Sequence, residues 1–149
     1  MGFVNDLKQG EEMEERVSQV LTSYFWKPVK KNGDKKWVDL IIEDWGLMIE
    51  VKFDRMVGET WNYAFEYKCS GKQSWVAKEY ITEEWWETMP HYIVQAHKDG
   101  FELYHTYKLL KWIEAHHDRK VKGWDGWRSE MYLVKRENVL WQAIEVFNY

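Results

Sequence analysis

Residues suited to hydrolysis of a phosphodiester lie close together early in the sequence. Asp39 is followed, after ten intervening residues, by Glu50 and Lys52. Carboxylate oxygens are the ligands that Mg²⁺ and Mn²⁺ prefer, and Mg²⁺ is usually held by one or two carboxylates together with waters. Such an ion polarises a phosphate and lowers the pKa of an attacking water. The lysine could orient that water or stabilise charge on phosphorus, and the sequence does not choose between these roles.

Two alternating stretches would place these side chains. From residue 38 to 42 and from 47 to 54, apolar and polar residues alternate, which predicts strands with one buried face. If Trp45 and Gly46 form a two-residue turn, Lys52 faces Asp39 directly and Glu50 lies diagonally from it. All three then share one face of a β-hairpin. A register shifted by one residue would separate them.

An amphipathic helix is expected before this hairpin, from Gly10 to Phe25, because its apolar residues recur at helical spacing. Glu14 borders the apolar stripe. Glu15 points almost directly away from the stripe, since successive helical residues turn by about 100°. Glu14 is therefore the acidic residue of this pair that could border a buried site.

Together these residues resemble the signature of the PD-(D/E)xK nucleases, in which carboxylates and a lysine lie on adjoining strands. The resemblance implies an α/β fold of the restriction-endonuclease-like type, with a central mixed β-sheet flanked by helices. It implies a Mg²⁺- or Mn²⁺-dependent nuclease that hydrolyses DNA, and an endonuclease is expected. The implied catalytic residues are Asp39, Glu50, Lys52 and Glu14, and the implied metal ligands are Asp39, Glu50, the Val51 carbonyl and Glu14.

Two later segments, residues 62–67 and 70–74, are similar to uncharacterised nuclease-like proteins that are often found in phages. The resemblance extends from Gly10 to Val134. Glu66 becomes a further candidate because its strand would place it on the polar face. Two departures are visible, since Val38 replaces the proline that names the motif and Trp75 stands where the phage-type proteins would have glycine.

The composition fits one globular domain spanning residues 1–149, with 45% hydrophobic and 31% charged residues. No apolar run approaches the roughly 20 residues that cross a bilayer, and no leader-like segment begins the chain. A single cysteine suits a reducing compartment. We therefore expect a protein that has no membrane partner. Its expected location is the cytoplasm, or the host cytoplasm if it is phage-encoded.

Further elements are expected along the remaining chain. They are a third strand of the same meander over residues 62–68, a helix from Ser74 to Glu87, a strand near residues 92–94, a helix from Leu103 to His117, a strand from Met131 to Val134 and a closing helix after Asn138.

A plainer interpretation competes with the nuclease hypothesis. Asp39 and Lys52 could form a cross-strand ion pair on a solvated face, with Glu50 and Glu14 as ordinary surface residues. The alternative function is a noncatalytic module that binds nucleic acid or protein and retains the nuclease fold. A homodimer is also considered, because a small domain offers little surface to enclose a duplex, and its interface would use some of the eleven tryptophans.

Overall fold

The computed structural model describes residues 3–33, 39–54, 60–69, 72–73, 90–122 and 129–149. The elements in these ranges are α1 (Phe3–Phe25), β1 (Val29–Lys31), β2 (Leu40–Ile42), β3 (Leu47–Phe53), β4 (Asn62–Cys69), β5 (Lys72–Gln73), β6 (Tyr92–His97), β7 (Gly100–His105), α2 (Thr106–His116), β8 (Arg119–Lys122), β9 (Ser129–Lys135), α3 (Arg136–Val139) and β10 (Glu145–Asn148). The expected helix after Ser74, and most of the 70–74 segment, lie outside the described residues.

The larger sheet has six strands in the order β1-β2-β3-β6-β7-β10. Strands β3 and β6 run parallel, and the other neighbours are antiparallel. A smaller antiparallel sheet has the order β5-β4-β9-β8. The expected α/β fold with a central mixed sheet flanked by helices is therefore confirmed at this level.

Helix α1 covers one face of the larger sheet. Its apolar stripe buries Val17 and Leu21 completely, as helical spacing requires when one face meets a sheet. These two side chains pack with residues from β1, β2, β3, β6 and β7, namely Val29, Leu40, Ile42, Ile49, Val94, Ala96, Phe101 and Leu103. This cluster holds the helix that carries Glu14 against the hairpin that carries Glu50.

The smaller sheet and α2 cover the opposite face of the larger sheet. Their core contains Tyr63, Phe65, Ile93, Tyr104, Leu109, Leu110, Ile113, Tyr132, Val134 and Val139. Strands β6 and β7 contribute to both clusters because they are covered on both faces. The polar face of the hairpin therefore looks toward the smaller sheet.

Strand β4 does not continue the meander that the sequence predicts. It pairs with β5 and β9, whereas the free edge of β3 pairs with β6, with Glu50 opposite Ile93. The expectation that residues 62–68 form a third strand of the same meander is thus wrong. Alternation in β4 shows that the strand has a buried face, but it carries no information about which sheet the strand joins.

The expected helix from Leu103 to His117 begins later, at Thr106. The preceding residues form β7, which pairs with β6 from Gly100 opposite His97 to His105 opposite Tyr92. The ring of His105 then caps the helix by accepting a hydrogen bond from the Lys108 N–H at 3.5 Å. Leu103 of β7 fits the helical spacing of the apolar residues in α2 by coincidence, and a short apolar run does not by itself distinguish helix from strand.

The closing helix after Asn138 is also wrong in extent. Helix α3 ends at Val139, a 3₁₀ turn covers Leu140–Gln142, and β10 follows. Strand β10 pairs with β7, and the rings of Phe147 and Phe101 stack with centroids 4.6 Å apart. A side chain at Gly100 would collide with the Phe147 carbonyl, so glycine is needed where these strands meet.

Among the described parts of the chain, none of the helices combines the length and the apolar character that a membrane-spanning segment requires.

Candidate functional site

The β2–β3 hairpin has a different turn from the predicted one. Ile42 pairs with Leu47, so the connection contains a 3₁₀ turn over Glu43–Trp45 followed by Gly46. Gly46 adopts φ 65°, a left-handed conformation that glycine reaches without steric cost. The two-residue turn at Trp45 and Gly46 is therefore wrong.

This turn changes the register by two residues. Leu40 pairs with Ile49, and the next position along β3 puts Asp39 beside Glu50 rather than opposite Lys52. Side chains alternate with a period of two, so a shift of two residues preserves their faces. The predicted face is retained, and the two carboxylates are closer neighbours than the sequence indicated.

The backbone of β3 holds the Asp39 carboxylate. Asp39 Oδ2 accepts a hydrogen bond from the Val51 N–H at 2.8 Å. The N–H and C=O of one strand residue point to the same side, so the Val51 carbonyl is directed toward Asp39 as well. The side to which the backbone groups point alternates from one residue of β3 to the next. Met48 accordingly faces the opposite side of the strand, where its N–H donates to Nδ1 of His91 and its carbonyl accepts from the His91 N–H. The Asp39 carboxylate and the Val51 carbonyl thus lie along the edge of β3 that faces β2. They follow directly after the Leu40–Ile49 pair, where the β2–β3 pairing ends.

Glu50 is buried in this region, with 9% of its surface exposed. Its Oε1 lies 2.9 Å from Nζ of Lys52. Burial raises the pKa of Glu50 from 4.5 to about 7, and Asp39 adds to this rise through its charge and hydrogen bonding, although Lys52 opposes it. Glu50 and Asp39 therefore lie close enough for their charges to interact.

Glu14 reaches the same region from α1. Burial raises the pKa of Glu14 from 4.5 to about 7, and the charge of Asp39 and hydrogen bonding with it contribute next. The charge of Glu50 raises this pKa slightly further, while Lys31 lowers it. The structure thus brings Glu14 to Asp39, as the position of Glu14 on the helix suggested, and leaves Glu15 exposed.

Lys52 supplies positive charge beside these acids. Partial burial lowers its pKa, but Glu50, Asp39 and Glu66 raise it by more, so the net pKa lies above the ordinary value. The Lys52 side chain is 55% exposed and can contact a molecule in solution. Glu66 belongs to β4 of the smaller sheet and lies near enough to influence the lysine.

The donor atoms fit a hard divalent cation in part. Within the residues that the structure describes, no group of three or more His, Cys, Asp or Glu side chains has a metal-holding arrangement. Asp39 and Glu50 nevertheless offer carboxylate oxygens from neighbouring positions of the hairpin, and Mg²⁺ commonly uses only one or two carboxylates. Burial is the main cause of the raised pKa values of Glu14 and Glu50, and the charge of Asp39 raises both further, so negative charge is poorly balanced among these carboxylates. A divalent cation would relieve that imbalance.

Comparison of the chain with protein families, curated proteins and solved structures finds no significant match.

A buried polar network that sequence analysis missed lies between the two sheets. Glu102 is fully buried and accepts a hydrogen bond from the Tyr63 hydroxyl at 2.5 Å. Its carboxylate also lies 2.9 Å from Nε2 of His97 and 3.2 Å from Nε of Arg136. Glu102 lies between Phe101 and Leu103, just before the helix predicted from Leu103, and no element was predicted for it from the sequence.

The raised pKa values predict that the metal-free protein loses stability as pH rises. Glu14 and Glu50 keep their protons to about pH 7 when folded, whereas unfolded glutamates lose them near 4.5. The folded state therefore binds more protons between these values, and raising the pH favours unfolding. For Glu50 alone, we expect a loss on the order of 2 kcal/mol in unfolding free energy between pH 5 and pH 8.

Urea unfolding in chelator at several pH values measures this effect. Glu50→Gln should flatten the pH dependence, because glutamine does not titrate. Glu43→Gln serves as the control, since Glu43 is exposed in the same hairpin and pairs with Lys30 at 3.5 Å. An unfolding free energy that rises from pH 5 to pH 8 in the wild type would contradict the prediction.

Proposed function

We propose that this chain is a metal-dependent nuclease that hydrolyses phosphodiester bonds of DNA as an endonuclease, on a restriction-endonuclease-like fold. The observation that carries this proposal is that the Val51 N–H of β3 holds the Asp39 carboxylate, while the buried Glu50 carboxylate lies 2.9 Å from Nζ of Lys52 on the same strand. An ion pair on a solvated face would not need Glu50 to be buried or Asp39 to be held by the backbone. Glu14 joins the group from the helix.

Each residue has a separate task in this proposal. Mg²⁺ or Mn²⁺, when bound, supplies Lewis-acid activation of the phosphate and a lower pKa for the attacking water. Asp39 is oriented for binding because one of its oxygens already accepts the Val51 N–H. Glu50 must lose its proton before it can act as a ligand, and because its pKa is raised to about 7, that loss is largely complete only above pH 7 in the metal-free protein. Glu14 adds negative charge that attracts a cation.

Lys52 completes the proposed site. Its ammonium remains protonated at neutral pH because the surrounding acids raise its pKa. A positive charge near the scissile phosphate stabilises the negative charge that grows during attack. The exposure of the side chain leaves it free to approach a DNA backbone.

A noncatalytic interaction module remains the second candidate. One observation favours it, namely that no three acidic, histidine or cysteine side chains within the described ranges are arranged for a metal. Large exposed rings also suit contact with a macromolecule or a second copy of the chain, and Trp26 is 88% and Trp141 84% exposed.

Cleavage assays distinguish the two candidates. Purified protein is incubated with duplex, single-stranded and branched DNA and with RNA, in Mg²⁺, Mn²⁺ or chelator. We expect DNA to be cut at internal positions when Mg²⁺ or Mn²⁺ is present and not in chelator. Asp39→Asn should reduce this cutting strongly. Asp44→Asn is the matched control, because Asp44 is an exposed acid of the same hairpin that pairs with Lys27 at 3.4 Å.

Calorimetric titration with Mg²⁺ and Mn²⁺ gives an independent measurement. Binding that is lost in Asp39→Asn would support the assigned ligands. A folded protein that neither cuts any of these substrates nor binds either ion would overturn the nuclease proposal and favour the interaction module.

A further inference from the structure

Gln95 lies next to Lys52 in the centre of the larger sheet. Strands β3 and β6 are parallel, and Lys52 is the register partner of Gln95. Register partners on neighbouring strands project from the same face, and such strands are about 4.8 Å apart. The Gln95 side chain therefore emerges on the polar face that carries Lys52 and Glu50.

The carboxamide of Gln95 is buried without a partner for its oxygen. Gln95 is 2% exposed, and within the described part of the chain its Oε1 has no hydrogen-bond partner. Burying an acceptor without a hydrogen bond is unfavourable, and an apolar side chain would avoid this loss. Folding alone therefore does not explain a glutamine at this position, whose neighbours Val94 and Ala96 are apolar.

The neighbour of Gln95 on β7 cannot donate a hydrogen bond to the Gln95 carboxamide oxygen. Gln95 pairs with Glu102 of β7, whose carboxylate accepts from Tyr63 and contacts His97 and Arg136. A carboxylate engaged in this way offers no donor to a carboxamide oxygen. On the opposite side, an ammonium group carries three donors and no acceptor. Lys52 uses one donor toward Glu50, and its exposed side chain can reorient.

We propose that Gln95 is a positioning residue for Lys52, whose ammonium donates to Oε1 of Gln95 when Glu50 turns to a divalent cation. This inference rests on the proposed nuclease function. A cation bound to Glu50 would repel the ammonium and weaken the ion pair, and Lys52 would then need another acceptor. A neutral carboxamide holds the lysine without cancelling its charge, which leaves that charge available to the phosphate.

Gln95→Met tests this role, because methionine has a similar length and no hydrogen-bonding oxygen. With a DNA substrate that the wild type cuts in Mg²⁺, we expect kcat to fall about tenfold, as one lost hydrogen bond to a charged group predicts. KM and the Mg²⁺ dependence should stay within about twofold, given that neither substrate nor metal touches Gln95 in this proposal. The urea midpoint should be unchanged or higher. A purely structural glutamine would instead lower stability and activity together.

A double-mutant cycle and a control sharpen the test. In the Lys52→Ala background, Gln95→Met should have no further effect on kcat, since its action passes through the lysine. Gln19→Met is the control, because Gln19 is an exposed glutamine of α1 that bonds Glu15. In a crystal of the Mg²⁺-loaded protein, Nζ of Lys52 should lie about 3 Å from Oε1 of Gln95.

The failures of the two proposals are distinguishable. If the wild type cuts DNA and Gln95→Met keeps its kcat within twofold, the role of Gln95 is overturned and the nuclease proposal stands. A loss of kcat that persists undiminished in the Lys52→Ala background also overturns the positioning role. If the wild type cuts nothing and binds no metal, the nuclease proposal fails and the inference fails with it.

Discussion

For the proposed nuclease activity, Lys52→Ala is expected to lower the rate constant for DNA cleavage in Mg²⁺ by about 10²- to 10³-fold, the loss typical when one group that stabilises transition-state charge is removed. The Lys52 ammonium lies 2.9 Å from Glu50 and its side chain is 55% exposed, so it is beside the proposed ligands and open to a substrate. Single-turnover cleavage of an end-labelled substrate, with enzyme in excess, measures the chemical step. Substrate affinity should change much less.

A matched lysine controls for the loss of one positive charge. Lys30 is exposed on β1 and pairs with Glu43 at 3.5 Å, away from the proposed site. Lys30→Ala should keep the cleavage rate within about twofold, as expected for an exposed pair. Lys52→Arg keeps the charge but changes its geometry, so partial activity is expected. If Lys52→Ala cleaves within threefold of the wild type while remaining metal-dependent, Lys52 has no catalytic role.

Glu102→Ala is expected to reduce the free energy of unfolding by about 3–5 kcal/mol, the loss typical when one partner of a buried ion pair is removed. Glu102 is fully buried, and its partners come from three other elements. Tyr63 comes from the smaller sheet, His97 from β6 and Arg136 from α3. The alanine leaves the fully buried Tyr63 hydroxyl and the Arg136 guanidinium, whose side chain is 21% exposed, without this acceptor.

Urea unfolding at neutral pH measures this loss. Glu102→Gln should cost less than the alanine, because the amide oxygen can still accept one hydrogen bond. Glu145→Ala is the control, since Glu145 is exposed on β10 and should change stability by less than about 0.5 kcal/mol. A loss below 1 kcal/mol in Glu102→Ala would mean that the network does not stabilise the contact between the sheets.

Local patterns in the sequence were enough to identify the faces of the elements near the site. Helical spacing separated Glu14 from Glu15, and the structure places Glu14 beside Asp39. Period-two alternation put Glu50 and Lys52 on one face, and this held although the turn was wrong. Both results follow from the geometry of a single element, because the side-chain period of a helix or strand is set by its own backbone.

Only the tertiary structure decided which elements are neighbours. The turn through Gly46 set Asp39 beside Glu50, and the pairing of β3 with β6 brought Gln95 next to Lys52. Pairing between β7 and β6 made residues 100–105 a strand and buried Glu102 between the two sheets. Hydrophobic periodicity reports that a face is buried, but not what buries it. That choice depends on long-range pairing and packing, so the faces on which Glu14, Glu50 and Lys52 lie could be predicted from the sequence, whereas the pairing of Gln95 with Lys52 and the Glu102 network could not.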